Sequence, residues 1–282
     1  MRRSVTIAVL AALVGGCHKP VPRQDAPRPR IVSFSPAITQ MLFDMRLGDH
    51  VVGVTSQDAL PEGARRPVVG DAFSVNAEAI LAVKPDVLMI QMKPERFEAV
   101  RRLDPNIRIE HFTIETLEDL AAAMERIGRI AGNEQAGLEA AGDFRAKLEA
   151  VRAKVQARPR PRVLFITDFK TLGTAGEGTF IDQMIDAAGG LNVARKYRGW
   201  VMMTAESILL AAPEVLICQA EPGGEKKALD YWRSLADLPA ARTGAIHVVT
   251  DRQWTIPTAA LAGFTERLAG MIHPEIAGDA KR

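Results

Sequence analysis

The sequence predicts an α/β protein of two similarly built lobes with parallel sheets, joined by one long α-helix. Three observations predict it. First, the stretch from Asn76 to Ile90 recurs in pattern from Thr204 to Cys218. Each copy reads as an N-cap (Asn76, Thr204), an acidic residue in the first turn (Glu78, Glu206), a short apolar helix, a proline stop and a buried strand. Second, apolar runs of strand length alternate with helical patterns in both halves, which argues for parallel sheets. Third, residues 134–157 carry a continuous helical pattern between the halves. At 1.5 Å per residue its roughly 22–24 residues span about 33–36 Å, long for a globular helix.

In order, Arg30–Phe34 reads as a strand, and Ser35-Pro36 opens a helix with Ser35 as N-cap and Pro36 at the first position. Ile38, Met41 and Leu42 form its apolar face, and Gly48 lies past its end. Val51–Thr55 is a second strand, and the loop to Asp71 is irregular, with Pro61, Gly63, Pro67 and Gly70. In the first repeat copy, Pro85 stops the helix and biases Lys84 toward extended geometry; Pro213 does the same for Ala212 in the second. Val87–Ile90 and Val215–Cys218 are buried strands. A helix over 97–103, a strand over 107–112 and a helix over 117–131 complete the first lobe, residues 30–132. Residues 133–160 hold the joining helix. The second lobe, 161–275, has a strand over 163–167, a glycine-rich loop (Gly173, Gly176, Gly178) and a helix over 179–188. After the repeat come a helix near 229–235, a strand over 245–250 and a helix over 258–272; residues 276–282 are a tail.

The totals exclude some function classes. Lysine plus arginine (36) nearly balance aspartate plus glutamate (34), which gives no reason to expect a nucleic-acid partner. Two cysteines, Cys17 and Cys218, cannot make a disulfide framework, and Cys218 reads as a buried, inert thiol. Residues 1–17 form a targeting segment: Arg2-Arg3, an apolar stretch from Val5 to Val14 too short to span a bilayer, then Gly15-Gly16-Cys17. That stretch resembles a bacterial lipobox, which implies lipidation of Cys17; a plain secretory signal is the alternative. Residues 18–29, rich in proline and arginine, read as a flexible tether. The folded part is expected outside the cytoplasm.

No catalytic set emerges. His18, His50, His111, His247 and His273 show no metal-ligand spacing. His111 and His247 read as satisfied core histidines, and His273 as a cation at a helix C-terminus. There is no Gly-x-Ser-x-Gly elbow, and Gly176-Glu-Gly178-Thr179 lacks the lysine of a phosphate loop. No enzyme activity, metal or cofactor is expected. Ligands in α/β folds bind beyond the carboxyl ends of the strands. Phe34, Phe73 and Phe169 stand at or beyond predicted strand ends, and Trp200 and Trp254, beside Gly199 and Asp251-Arg252-Gln253, are expected in a cleft.

Arg30 to Thr39, Val51 to Val54, Asn76 to Ile90, Trp200 to Ile217 and Asp251 to Pro257 together resemble the helical-backbone substrate-binding proteins of ABC importers. The resemblance runs from about Arg30 to Pro274 and is strongest to the members that bind vitamin B12. It implies two Rossmann-like lobes on one stiff helix, a ligand held between them, and an extracytoplasmic, monomeric protein that serves a permease dimer. Glu78 and Glu206 match the positions that dock onto permease arginines; complementing the helix dipole is the simpler account of each. The implied ligand contacts are Phe34, Ser35, Gln57, Phe73, Phe169, Trp200, Asp251, Arg252 and Trp254. Gln57 stands where the B12-binding members have a tyrosine, and Ala72 where they have a tryptophan, with Phe73 displaced by one. Residues 174–180 and 187–192 look as much like haem- and siderophore-binding members, although no first-lobe tyrosine is present to ligate haem iron. Lys170 and Arg252 suit an anionic chelate. The expected ligand is a cobalamin-type corrinoid, with a ferric siderophore or haem as the alternative. An envelope enzyme on the same scaffold is the competing class.

Overall fold

In the computed structural model, which describes residues 28–279, the chain first lays down a parallel four-stranded sheet. Its elements are β1 (Ile31–Phe34), α1 (Pro36–Asp44), β2 (Val51–Gly53), α2 (Ala77–Ala82), β3 (Val87–Ile90), α3 (Glu98–Leu103) and β4 (Arg108–His111), with strand order β2-β1-β3-β4. Helices α4 (Leu117–Ile130) and α5 (Glu134–Val155) follow. The second lobe contains β5 (Arg162–Asp168), β6 (Gly173–Ala175), α6 (Phe180–Ala187), β7 (Leu191–Asn192), β8 (Trp200–Met202), α7 (Ala205–Ala211) and β9 (Val215–Gln219). It ends with α8 (Glu225–Ser234), α9 (Pro239–Thr243), β10 (Ile246–Val249), α10 (Leu261–Ile272) and α11 (Pro274–Asp279). The expected signal segment, Cys17, most of the expected tether and the last three residues lie outside the described residues. Among the described residues no helix is long and apolar enough to cross a membrane.

The buried strands sort their side chains with a period of two. Ile31, Val87 and Met89 face one cluster and Val32, Phe34, Leu88 and Ile90 the other; in the second lobe Val163, Phe165, Val215 and Ile217 face that same shared cluster. Leu164, Ile166, Leu216 and Cys218 face outward to α7, α8 and α9. The shared cluster runs through α1, α4, α5, α6 and α10, so one continuous apolar core joins both lobes. A joint of that kind resists wide opening, because separating the lobes would expose packed apolar surface.

The seat of α5 depends on two glycines. A Cβ on Gly137 would lie 2.6 Å from the Met124 carbonyl oxygen, and one on Gly128 would lie 2.8 Å from Gly137 Cα. Arg145 on α5 bridges Glu118 and Glu125 on α4 across the same contact. The 22-residue α5 is capped by Asn133, whose Oδ1 accepts from the Ala136 N–H at 3.2 Å.

Several expectations change. The second sheet, in order β10-β9-β5-β6-β8, is parallel over β10-β9-β5 but antiparallel over β5-β6 and β6-β8. The glycine-rich loop thus contains a strand, paired with the one that starts at Trp200. Three-residue strands carry too little periodicity to read in advance. Helix α1 ends at Asp44 with Gly48 past its end as expected, but Arg46 rather than a glycine takes the left-handed turn at φ 60°. Lys84 (φ 46°) and Ala212 (φ 45°) before the two prolines are left-handed, not extended. At Ala212 that turn lets the backbone N–H donate to the Ile208 and Leu209 carbonyls, closing α7. His111 is exposed at the end of edge strand β4. His273 is buried, and burial pushes its pKa down, so desolvation outweighs the helix dipole expected to favour a cation. Cys218 is buried, and desolvation pushes its thiol up to about 11.

Candidate functional site

The two sheets meet at their loops in two places. On one side, the loop after β4 meets β8: Trp200 Nε1 donates to Glu115 Oε2 at 3.3 Å, and the indole packs edge-on to Phe180 at 5.3 Å. On the other side, the loops after β1 and β2 face the loop after β10. Between them lies a cavity of about 750 Å³ with walls that include Gln40, Gln57, Asp251, Arg252, Gln253 and Thr258. Trp200–Glu115 therefore marks one end of the interlobe space and the cavity the other.

Local structure fixes these walls. Asp251 Oδ1 accepts from the Gln253 N–H at 2.9 Å and starts a 3-10 turn over Arg252–Thr255. Gln219 Nε2 donates to the Asp251 carbonyl at 3.1 Å and holds that turn over the end of β9. Gln57 Oε1 accepts from the Ala72 N–H at 3.2 Å, tying the long loop to itself. Thr258 is 1% exposed, and its Oγ1 has no partner among the described residues. A buried hydroxyl of that kind is costly unless a ligand or water completes it.

A second cavity, of about 310 Å³, adjoins the first within the second lobe. The ends of β5 and β9 and the start of α8 enclose it, and Arg252 belongs to both walls. Phe169 lines this second cavity and packs edge-on to Tyr231 at 5.4 Å and Trp232 at 6.4 Å.

The structure brings Gln57, Asp251 and Arg252 together at the interlobe cavity, and Arg252 and Phe169 at its neighbour. Other expected ligand contacts go elsewhere. Trp254 is 0% exposed: it stacks on Phe264 at 4.7 Å and approaches Phe165 at 5.7 Å, so it is core of the second lobe. The polar residues before it are exposed because the 3-10 turn points them outward while the indole points in. Phe34 is likewise core, edge-on to Phe97 at 5.1 Å. Ser35 is buried, bonded to Gln91 and accepting from the Ile38 N–H at 3.4 Å, which commits it to capping α1. Phe73 stands free at 87% exposure, on a turn held by Asp71 and Arg96. Gln40, Thr258 and Glu115 were not singled out; Gln40 stands on α1 after β1 and Glu115 in the loop after β4, positions that carried the signal, whereas Thr258 lies beyond the 3-10 turn with none. Among the described residues no three His, Cys, Asp or Glu side chains are grouped to hold a metal ion.

Glu78 and Glu206 are both exposed on the first turns of α2 and α7. Its own backbone N–H and the Thr204 hydroxyl hold the Glu206 carboxyl below the usual range. Leu210, one turn further along α7, is 87% exposed.

A family model described as periplasmic binding protein matches residues 31–252. The chain belongs to the periplasmic binding protein family. An uncharacterized ABC transporter substrate-binding lipoprotein, YvrC, of Bacillus subtilis is 26% identical over 257 residues, covering 87% of this chain and 80% of that protein. A vitamin B12-binding protein of Vibrio vulnificus is 26% identical over 197 residues, covering 68% and 72% of the two chains. Among solved structures, the vitamin B12 binding protein BtuF of Vibrio cholerae superposes with TM-score 0.75 at 22% identity, covering 89% of this chain and 98% of its own. The haem binding protein HutB of Vibrio cholerae gives 0.77 at 22%, covering 87% and 99%. At that identity the superpositions establish a shared two-lobed periplasmic binding protein fold.

Proposed function

We propose that this chain is the extracytoplasmic solute-binding protein of an ABC importer, and that it captures a cobalamin-type corrinoid between its lobes for delivery to the permease. The observation that carries the reading is the interlobe cavity at the strand ends of both sheets, walled by both lobes. Relatives named for vitamin B12 binding support the choice of corrinoid. A ferric siderophore or haem is the second reading. It is favoured by individual groups on the cavity wall, where glutamines and the cationic Arg252 stand instead of the expected Phe34 and Trp254. Glu78 and Glu206 are the proposed permease contacts, one per lobe, with exposed Leu210 beside the second. Cys17 is the proposed lipid anchor, and the protein works as a monomer that does no chemistry.

Calorimetry of the purified full chain with cobalamin, cobinamide, haem and a ferric siderophore panel tests the ligand. Corrinoids and haem absorb visible light, so co-elution gives an independent reading. Tight binding of a corrinoid alone is expected. Tight binding of haem or a ferric chelate alone moves the protein to the second reading. Failure to bind any of them, together with turnover of a small ester or phosphate, would sink the carrier assignment.

A further inference from the structure

We infer that the cavity inside the second lobe receives an anionic side arm of the transported ligand, a carboxylate or a phosphodiester, while the ligand's body occupies the interlobe cavity. The inference rests on the solute-binding reading above and adds a subsite and its chemistry. The two cavities share Arg252 as a lining residue, which sets them side by side. At about 310 Å³ the inner cavity holds a side arm and not a macrocycle.

Its lining favours negative charge. Lys170, Lys227 and Arg252 contribute three cations against the carboxylates of Asp168 and Glu221. Asp168 is already engaged: its Oδ1 accepts from the Lys170 N–H at 2.8 Å and its Oδ2 from the Thr171 hydroxyl at 2.9 Å. None of the three cations forms an ion pair with a carboxylate among the described residues. Helix α8 opens on the same cavity. Its N-cap, Gly224, offers no side chain to the orphan N–H groups of the first turn, where Glu225 is the acidic residue present. On the floor, Gln219 is 8% exposed; its Nε2 is bonded to the Asp251 carbonyl, and its Oε1 has no partner among the described residues. A guanidinium fork, two ammonium groups and a helix N-terminus around one small cavity match an oxyanion group. All three cations are exposed, so a neutral arm would gain nothing from them, whereas an anionic arm would gain charge-assisted contacts.

The test uses paired probes that differ in the anion. Haem and its dimethyl ester differ in two carboxylates; cobalamin and cobinamide differ in the phosphate-bearing nucleotide arm. Each is titrated calorimetrically into the full chain and into Lys170→Gln/Lys227→Gln, at two salt concentrations, with circular dichroism to verify folding. In the natural protein the anionic member of at least one pair binds roughly ten- to hundredfold tighter than its partner, and the ratio shrinks with salt. In the double variant that ratio collapses toward one. A preference in the haem pair alone assigns the arm as a carboxylate; a preference in the cobalamin pair alone assigns it as a phosphodiester. Equal binding of both members of each pair by the natural protein overturns the inference and leaves the carrier reading standing. So does a ratio that is unchanged in a folded double variant. Failure of every probe to bind removes the carrier reading and this subsite together.

Discussion

Replacing Trp254 with alanine separates a core residue from a ligand contact. The indole is fully buried between Phe264 and Phe165, with the Arg267 guanidinium 5.2 Å from its ring centre. Truncation removes roughly 200 Å² of buried apolar surface, about 5 kcal/mol at 25 cal/mol/Å². Core Trp→Ala losses of about 3–5 kcal/mol agree with that figure. At about 2–4 °C per kcal/mol for a chain of this size, Tm should fall by roughly 6–20 °C. Trp254→Phe should cost much less, about 1–2 kcal/mol, because the ring stack is kept and the indole N–H has no protein partner to lose. Urea unfolding followed by circular dichroism gives both values. Calorimetry well below Tm, with whichever probe the natural protein binds, then reads affinity of the folded protein. The reasoning predicts a large stability loss in Trp254→Ala and an affinity within about threefold of natural in Trp254→Phe. Stability within 1 kcal/mol of natural in the alanine variant, with affinity reduced tenfold or more, would place the indole in the ligand site and refute it.

The α4–α5 seat should be intolerant of a methyl group. Gly137→Ala should cost about 1–3 kcal/mol in urea unfolding, since its Cβ would meet the Met124 carbonyl, whereas Gly142→Ala on an open face of the same helix should be neutral or stabilising. Glu78→Ala with Glu206→Ala should leave ligand affinity unchanged and reduce transport in vesicles carrying the cognate permease; lost affinity with normal transport would count against docking. His273 governs an acid limb. Burial holds its folded pKa below the ordinary 6.5, so its contribution is fully present above that pH and is lost as pH falls through the window below it. His247 shifts in the same direction. His273→Gln should therefore flatten the fall in unfolding free energy as pH drops below 6.5, measured by urea titration at each pH.

Much of the architecture was legible because it is local. The caps at Ser35, Asn76, Asn133 and Thr204 all accept from first-turn N–H groups. Long amphipathic stretches such as α4 and α5 announce themselves by period. The short antiparallel strands β6 and β8 do not, because their pairing is decided by a partner distant in sequence. At the site, Gln57, Asp251 and Arg252 were indicated by the family resemblance, and the structure puts all three on one cavity wall. Trp254 could not: a four-residue 3-10 turn has no periodicity that tells an inward indole from an outward one.

The sequence by itself determined two α/β lobes, the helix between them, and the matched glutamates at the start of α2 and α7, because caps, prolines and apolar periods act within a few residues. Tertiary structure alone decided which side chains meet across the lobes. It sent Phe34 and Trp254 into the core, left Phe73 in solvent, paired Trp200 with Glu115, and set Arg252 on the wall shared by two cavities. The reason is that direction matters more than residue type at a strand end. A side chain there becomes floor or filling according to how its loop turns, and that turn is fixed by bonds such as Gln219 to the Asp251 carbonyl, which join residues far apart in the chain.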